Sequence, residues 1–452
     1  MKVVLINPLP EKSNIPFPAL SLSYLSSFLK ANNHEALILD LCAEPLSDYA
    51  LRKKILEYNP DLIGITFFTR RYVTVKELAN KLKSWFPTIK IIVGGSHPSA
   101  LPREVLQEID SIDLVAIGEG ENTIVDVVES LKSDRLDHIK GIAFRKRDEI
   151  IINPPREYIE NLDTLPFPDL EQVDSSKYKI HPPYGWYGIP LTMVTTRGCP
   201  GRCIFCSKAV FKNTLRSMSP DRIIEEIKYW KGRLPIREIR FFDDDFTILE
   251  KRTFDICDLL IKERINLPWT CTTRVDFLTR ELLVKMKKAG LYFIVLGVES
   301  GSPRVLKSLR KGYTVEHIRN AFKWCHELKI TTFAFFMVGN PDETDEDIKM
   351  GLQLQKEIRA NFLSWGVLRT LPGSTLFERC KDKYDFTSDK EYPYFSIYRK
   401  DLDENVLYNF CRRAMFKHYR SYVGVKSVLT YFYKTRNWGA IRDYIQWTTE
   451  KL

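Results

Sequence analysis

Three of the chain's nine cysteines fall within eight residues, in the run Arg197-Gly-Cys-Pro-Gly-Arg-Cys-Ile-Phe-Cys206. Cys199, Cys203 and Cys206 are spaced C-x3-C-x2-C, with Gly198, Pro200 and Gly201 bending the loop around them. Three thiolates on one short loop can hold three irons of a cubane and leave the fourth iron open. A structural zinc site is instead closed by a fourth ligand. No second cysteine pair follows at zinc-ribbon spacing, and Cys257, Cys271, Cys325, Cys380 and Cys411 stand singly. The spacing therefore predicts an open-sided iron–sulfur site, with a zinc knuckle as the alternative.

A loop of this kind needs a frame. From residue 191 the chain repeats strand then helix six times, with apolar strands at 191–196, 236–242, 269–275, 292–298, 332–338 and 363–369. Helix starts are marked by Ser219-Pro220, a cap with a first-turn proline, and by Thr344-x-x-Asp347, a capping-box pattern. Six β/α units predict a partial (β/α)6 barrel, whose catalytic loops gather where the strands end. The cysteine loop follows the first of those strands.

In front of it, residues 2–6 (KVVLI), 35–41, 62–68, 89–95 and 114–118 read as strands alternating with helices. That alternation predicts an α/β, doubly wound, Rossmann-like sheet. Ligands of such sheets bind beyond the carboxyl ends of the strands. Those ends carry Asn7-Pro8, Thr66-Phe67, Gly94-Gly95 and Gly118-Glu-Gly-Glu121, and no G-x-G-x-x-G follows the first strand. Residues 141–153 read as a hairpin around a charged turn, and prolines then mark a crossover whose aromatics include Tyr184, Trp186 and Tyr187. The tail is helical and basic: 402–417 has helical spacing, and Arg412, Arg413, Lys417, Arg420, Lys426, Lys434, Arg436 and Arg442 follow among aromatics. Such a helix can lie on an anionic membrane surface; the favoured expectation is that it caps the barrel and walls the substrate cavity. The expected domains are 1–135, a linker at 136–190, the barrel at 191–380 and the basic helical region at 381–452.

Composition sets the class. The 452 residues carry 68 basic and 58 acidic side chains, a net charge of +10 without a long block of one sign. A solvated surface fits this better than a nucleic-acid groove, and no nucleic-acid partner is expected. No run of eighteen apolar residues occurs, and the N-terminal apolar run is too short for a signal peptide. Clustered cysteines without a disulfide framework fit a reducing, cytoplasmic setting and an oxygen-sensitive protein.

On the cysteine loop and the strand order, the chain resembles the cobalamin-dependent branch of the radical S-adenosylmethionine (SAM) superfamily. The resemblance implies a [4Fe-4S] cluster on Cys199, Cys203 and Cys206 whose open iron takes the amino and carboxylate groups of SAM. Carried onto the strand ends, it implies SAM contacts from Phe205, from Asp243, Asp244 or Asp245, from Arg274 with Thr273 and Asp276, from Glu299 and Ser300, and from Gly339 and Pro341. The glycines usual at the amine-binding strand end are missing here, which leaves the choice among the three aspartates open.

In the first domain it implies a cobalamin slot lined by Thr66, Phe67, Phe68, Thr69, Arg70, Arg71, Gly94, Gly95, Ser96, His97, Gly118, Glu119 and Gly120. The glycines would let the nucleotide tail pass against the backbone. The Asp-x-His-x-x-Gly motif that ligates cobalt is absent, so His97 is expected as a loop histidine bonding backbone or tail. Arg70 and Arg71 would sit below the corrin. The implied activity is methylation of an unactivated carbon of a small molecule, hydrophobic or lipid-like, with electrons from an external flavodoxin or ferredoxin. The alternatives are a non-methylating cyclase or oxidoreductase, and an RNA-modifying methylthiotransferase; the latter is disfavoured because the N-terminal region holds only Cys42.

Overall fold

The structure, a computed structural model, describes residues 1–9, 19–131, 133, 135–178, 186–383, 385, 393–395, 397–399 and 402–435. Tyr184, Pro182, Pro183, Arg436 and Arg442 lie outside the described residues. The chain forms two compact units. One comprises Met1–Tyr178 with Phe205–Arg216 and Thr370–Ser396, and the other Lys179–Ile204 with Ser217–Arg369 and Ile397–Leu452.

The first unit is built on β1 (Lys2–Asn7), β2 (Glu35–Asp40), β3 (Leu62–Thr66), β4 (Lys90–Gly94), β5 (Leu114–Ala116), β6 (Ile142–Lys146) and β7 (Glu149–Ile152). Its helices are α1 (Leu20–Ala31), α2 (Asp48–Tyr58), α3 (Tyr72–Trp85), α4 (Ser96–Ala100), α5 (Pro102–Glu108) and α6 (Glu121–Ser130). The sheet runs β2-β1-β3-β4-β5-β6-β7, parallel through β5. Residues of β1 and β3 are buried on both faces, which is why they read as unbroken apolar runs. The strand order reverses between β1 and β3, and a ligand crevice opens beyond their carboxyl ends in this topology. The hairpin expected in the linker is β6 and β7, and it extends this sheet antiparallel from β5.

The second unit begins at β8 (Pro190–Met193). The two-residue strands β9 (Thr196–Arg197) and β10 (Arg216–Ser217) flank the cysteine loop in the chain. Then follow α7 (Pro220–Lys231), β11 (Glu238–Phe241), α8 (Glu250–Lys262), β12 (Trp269–Arg274), α9 (Arg280–Lys288) and β13 (Leu291–Glu299). α10 (Pro303–Ser308), α11 (Val315–Glu327), β14 (Thr331–Val338), α12 (Asp345–Ile358) and β15 (Phe362–Val367) complete the repeat. α13 (Thr375–Cys380) belongs to the first unit, while α14 (Glu404–Tyr419) and α15 (Tyr422–Thr435) return to the second.

The six strands pair in parallel and in chain order, with β8 and β15 at the edges, the open (β/α)6 arrangement expected. Both helix starts read from sequence are capped: Ser219 accepts from the Arg222 N–H, and Thr344 and Asp347 bond reciprocally.

The first helix of the basic tail, α14, meets the barrel as expected: Leu407 lies 3.5 Å from where a Cβ on Gly339 would stand, at the β14 tip. The second departs from expectation. α15 buries Tyr431 among Trp186, Tyr292, Phe293, Phe333 and Phe362. These residues open β13, β14 and β15 or precede β8, so α15 seals the amino end of the strands. The catalytic end lies at the opposite tips. Amphipathic spacing says that a helix has a face to bury; it does not say which end of a barrel that face will meet.

Candidate functional site

The cysteine loop is held from behind. Asp243, at the end of β11, accepts bonds from the Thr195 N–H (2.7 Å) and hydroxyl (2.9 Å), and from the Thr196 hydroxyl (2.7 Å) and N–H. Its carboxyl is fully buried; burial pushes its pKa up, and the Arg252 guanidinium opposes that. Arg252 in turn donates to the Thr195 carbonyl at 3.0 Å and the Met218 carbonyl at 2.8 Å. Both oxygens of Asp243 are thus spent on fixing the turn that launches the loop.

Within the loop, Gly198 has φ +87° and the Gly201 N–H points at the Cys199 sulfur, 3.4 Å away. The Arg274 Nη1 lies 3.9 Å from the Cys203 sulfur. The three loop thiols form no disulfide and are half-buried, whereas the other six cysteines are buried. Burial lifts the Cys42 thiol to about 11 and those of Cys257, Cys325 and Cys411 to about 12, so they are poor ligands. Among the described residues no three His, Cys, Asp or Glu groups gather on a single ion. A cubane does not ask for that, since each thiolate takes its own iron.

The three aspartates lie just beyond β11 and divide. Asp243 and Asp245 turn inward and are buried, while Asp244 is exposed. Asp245 Oδ1 accepts from the Thr273 hydroxyl at 2.6 Å and from the Arg274 N–H at 3.4 Å. Its Oδ2 is buried without a partner, and burial raises the carboxyl to about 6.

At the next strand tip Glu299 adopts φ +62°, uncommon for a residue with a side chain. Its carboxylate folds back over Gly297, where an added Cβ would stand 2.6 Å from Glu299 Oε1. Lys311 Nζ meets that oxygen at 3.0 Å. Burial works against the ammonium, but Glu299 holds its pKa well above the ordinary lysine value. Ser300 is buried beside it and accepts from the Ser302 N–H. At the tip of β14, Gly339 (φ +83°) and Asn340 donate their N–H groups to Glu343, just before Pro341. Asn340 Oδ1 is buried and unpartnered. Arg274 is clamped by Asp276, at 3.0 and 2.7 Å, and by the Lys311 carbonyl. The sequence reading missed Gly297, Arg252 and Lys311. Gly297 lies at the end of β13, but Arg252 lies within α8 and Lys311 beyond α10, where no strand tip marks them. Phe205 is half-buried in the cysteine loop.

In the first unit, the tips of β3, β4 and β5 stand side by side, so the residues assigned there do gather along one edge. Several carry other duties. Phe67 is wholly buried and stacks on His97 at 4.5 Å. His97 is not a loop histidine: it sits in α4, fully buried, with Nδ1 3.3 Å from the Thr69 hydroxyl and Nε2 unpartnered. Burial drives its pKa down to about 3, keeping it neutral. Tyr72 and Tyr394 close this aromatic group and share the Glu108 carboxylate. Ser96 opens the same helix, and Thr66 is buried at the end of β3.

Arg71 donates to Asn7 Oδ1 (2.6 Å) and the Pro8 carbonyl (3.1 Å), and reaches the Cys42 sulfur. It ties β1 to the segment after β3. Arg70 lies over Phe395, and Phe68 is exposed. Glu119 is committed as well: it accepts from Arg216 at 2.8 and 3.0 Å and from the Ile159 N–H at 2.9 Å.

The glycines also divide. A Cβ on Gly95 (φ +117°) would stand 2.8 Å from the Phe67 carbonyl oxygen, so that glycine serves backbone packing. Gly94 would meet only ordinary contacts, and Gly120 approaches Leu25. A Cβ on Gly118 (φ +84°) would meet nothing within 4 Å. Of these four glycines, only Gly118 leaves open space in which a cofactor tail could lie.

Comparison with known proteins agrees with this geometry. Residues 193–354 match the radical SAM superfamily and residues 11–128 the B12-binding domain. A relative from Pyrococcus horikoshii, described as an uncharacterized methyltransferase, is 32% identical over 387 residues, covering 84% of this chain and 83% of its own. The chain belongs to the radical SAM superfamily. Its cofactors are a [4Fe-4S] cluster and SAM in the barrel and cobalamin in the first domain.

An anaerobic magnesium-protoporphyrin IX monomethyl ester cyclase of Rubrivivax gelatinosus is 27% identical, over 90% of this chain and 75% of its own. The radical SAM methyltransferase TsrM of Kitasatospora setae shares the fold, with a TM-score of 0.69 at 19% identity, covering 84% of this chain and 76% of its own. The residues suit these groups: three half-buried thiols outside any disulfide for iron, the unpartnered Asp245 Oδ2 and Asn340 Oδ1 at the SAM strand tips, and the clear space over Gly118.

Proposed function

We propose that the protein methylates an unactivated carbon of a small molecule. The observation that carries this is the methyltransferase relative, which matches across 84% of the chain. When bound, the cluster and SAM supply a 5′-deoxyadenosyl radical, and cobalamin supplies a methyl group. The chain's residues bind and orient. Cys199, Cys203 and Cys206 hold the cluster, on a loop braced by Asp243 and Arg252. Asp244, the one aspartate of the three that faces outward, takes the SAM ammonium. Asp245 and Asn340 offer buried acceptors, and Glu299, held by Lys311 over Gly297, presents its carboxylate at the ribose position. Gly118 gives the cobalamin tail its passage.

The test is a product count in the anaerobically reconstituted enzyme. S-adenosylhomocysteine formed together with 5′-deoxyadenosine supports methylation. 5′-Deoxyadenosine alone overturns it in favour of the cyclase-type reading, which the Rubrivivax relative recommends. A lipid-like substrate met at a membrane surface extends the proposal, supported by the outward stripe Tyr422, Val425, Leu429 and Tyr433 of α15 beside Lys426. Vesicle co-sedimentation checks that extension; equal pelleting with and without anionic vesicles removes it. Among the described residues no helix is long and apolar enough to cross a membrane.

A further inference from the structure

A cavity of about 230 Å³ lies at the amino end of the barrel strands, beside α15. Thr331 and Phe362, the first residues of β14 and β15, line it, as do Trp186 and, from α15, Lys426 and Ser427. A strand rise of about 3.3 Å per residue puts the far tip of β14 roughly 23 Å away. Nothing bound here therefore touches the SAM strand tips.

Donors dominate its wall. Arg359 and Lys426 are exposed cations whose side chains have no ion pair or hydrogen bond among the described residues. Lys426 leans only on the Tyr422 ring, 5.9 Å from its centre. The Trp186 indole is 4% exposed, and its N–H is buried without an acceptor. Asn361 is spent: it accepts from the Thr332 N–H at 3.0 Å and donates to the Ser427 hydroxyl at 3.2 Å. Ser427, having accepted there, keeps its own O–H proton to give. His326 and Thr430 are already committed, donating to the Ile358 and Lys426 carbonyls at 2.9 and 2.8 Å.

Among the described residues no carboxylate lines the cavity. Glu327, next to His326, and Glu357, two residues before Arg359, are paired with Arg280 and Arg319. A further ammonium, Lys434, stands 5.1 Å over the Trp186 ring. Burial, and after it the charge of Lys434, hold Lys287 below the ordinary lysine pKa, so the positive field extends past the cavity itself. A buried donor left unsatisfied costs the fold, and each such group calls for a partner.

A forked guanidinium, an ammonium and neutral N–H and O–H donors around one hollow are the set that takes up a phosphate group. A phosphate monoester carries roughly two negative charges at neutral pH, matching Arg359 and Lys426 together, whereas a carboxylate would balance only one. Phe362 and Val423 add apolar wall for a short organic body. We propose that this cavity is a further ligand site of the protein and takes a phosphate monoester. Binding ties Lys426 and Ser427 of α15 to Arg359 and Asn361 at the turn before β15. The ligand thus clamps the helix that seals the strand ends and takes no part in the reaction. The inference is independent of the methylation reading.

The test is calorimetric titration of the full-length, cluster-reconstituted protein with SAM and cobalamin already bound, so that their sites do not compete for the probe. The probes are phenyl phosphate, benzoate at the same ionic strength, and phosphatidylcholine vesicles with or without phosphatidate. Phenyl phosphate should bind and raise the thermal midpoint by roughly 5–10 °C at a hundredfold excess over its Kd. Its affinity should fall at least tenfold in the double variant Arg359→Gln with Lys426→Gln. Lys251→Gln with Lys262→Gln removes as much charge from the exposed face of α8 and should leave the affinity unchanged.

If only the phosphatidate vesicles bind, and the Arg359 and Lys426 variant releases them, the phosphate is that of a lipid headgroup and the site stands. If phenyl phosphate binds, the source is a soluble ester. Equal affinity for benzoate overturns the proposal. So does the failure of both phosphate probes to bind, or undiminished binding in the Arg359 and Lys426 variant. An equal loss in the α8 variant also overturns it, since the attraction would then belong to the net charge and not to the cavity.

Discussion

Gly95 separates two explanations of the same glycine pair, and Gly95→Ala decides between them. The residue sits at φ +117° and ψ −168°, a region open almost only to glycine. A methyl group there would lie 2.8 Å from the Phe67 carbonyl oxygen and 3.3 Å from the Phe67 nitrogen, both backbone atoms that cannot swing aside. Backbone strain of about 1–3 kcal/mol and overpacking of about 1–3 kcal/mol make a combined loss of roughly 2–6 kcal/mol. At roughly 2–4 °C per kcal/mol for a domain of this size, the midpoint should drop by about 5–20 °C.

The assay is thermal unfolding of the cobalamin-free protein, followed by cobalamin titration. Gly118→Ala is the control: its φ of +84° carries strain, but no atom would touch the new methyl group. It should lower the midpoint by only about 1–2 kcal/mol equivalent and weaken cobalamin binding instead. If Gly95→Ala leaves the cobalamin-free midpoint unchanged and only cobalamin binding suffers, then the reasoning from Phe67 is wrong and Gly95 is reserved for the cofactor.

Asp244→Asn should weaken SAM binding measured by calorimetry while leaving the unfolding midpoint in place, whereas Asp243→Asn should cost about 1–3 kcal/mol of stability as its cap bonds are disturbed. Asp245 supplies the pH dependence. Its folded pKa of about 6 stands above the ordinary 3.8, so the proton it keeps stabilises the fold fully below about 4, and that stabilisation is lost as pH rises through 6. Two units correspond to about 3 kcal/mol, and chemical denaturation of Asp245→Asn from pH 4 to 6.5 should lack that slope. Glu119→Gln strands the Arg216 guanidinium in the interior, with an expected loss of about 3–5 kcal/mol on denaturation. Tyr431→Ala should cost about 3–5 kcal/mol by opening a cavity at the amino end of the barrel strands, without changing SAM affinity.

The strands were legible because buried parallel strands write themselves as apolar runs, from KVVLI at β1 to the six of the barrel. The cysteine loop was legible because its ligands are adjacent in the chain. The phase of the aspartate run was not. Alternation says that neighbours point opposite ways, but Thr195 and Arg252, brought in from other elements, decide that Asp243 faces inward. His97 read as a loop residue because nothing nearby in sequence announces Tyr72 and Tyr394 as its walls. Glu119 read as a cofactor contact because its true partner, Arg216, lies 97 positions away. The destination of α15 was misjudged for a similar reason: its buried face was evident, the ring of aromatics waiting for it was not.

That long-range pair bears on how the protein could be taken apart. Arg216 belongs to the short segment Phe205–Arg216 that joins the first unit after the chain has already entered the second. A gene fragment ending near residue 178 would encode every strand of the first sheet and still omit this piece, parting Glu119 from Arg216, and Thr370–Ser396, parting His97 from Tyr394. The corrinoid-binding half is therefore not a cassette that recombination or cloning can lift out at a single junction. To build it as a stand-alone vitamin-B12 carrier would mean grafting back both missing segments, Phe205–Arg216 and Thr370–Ser396.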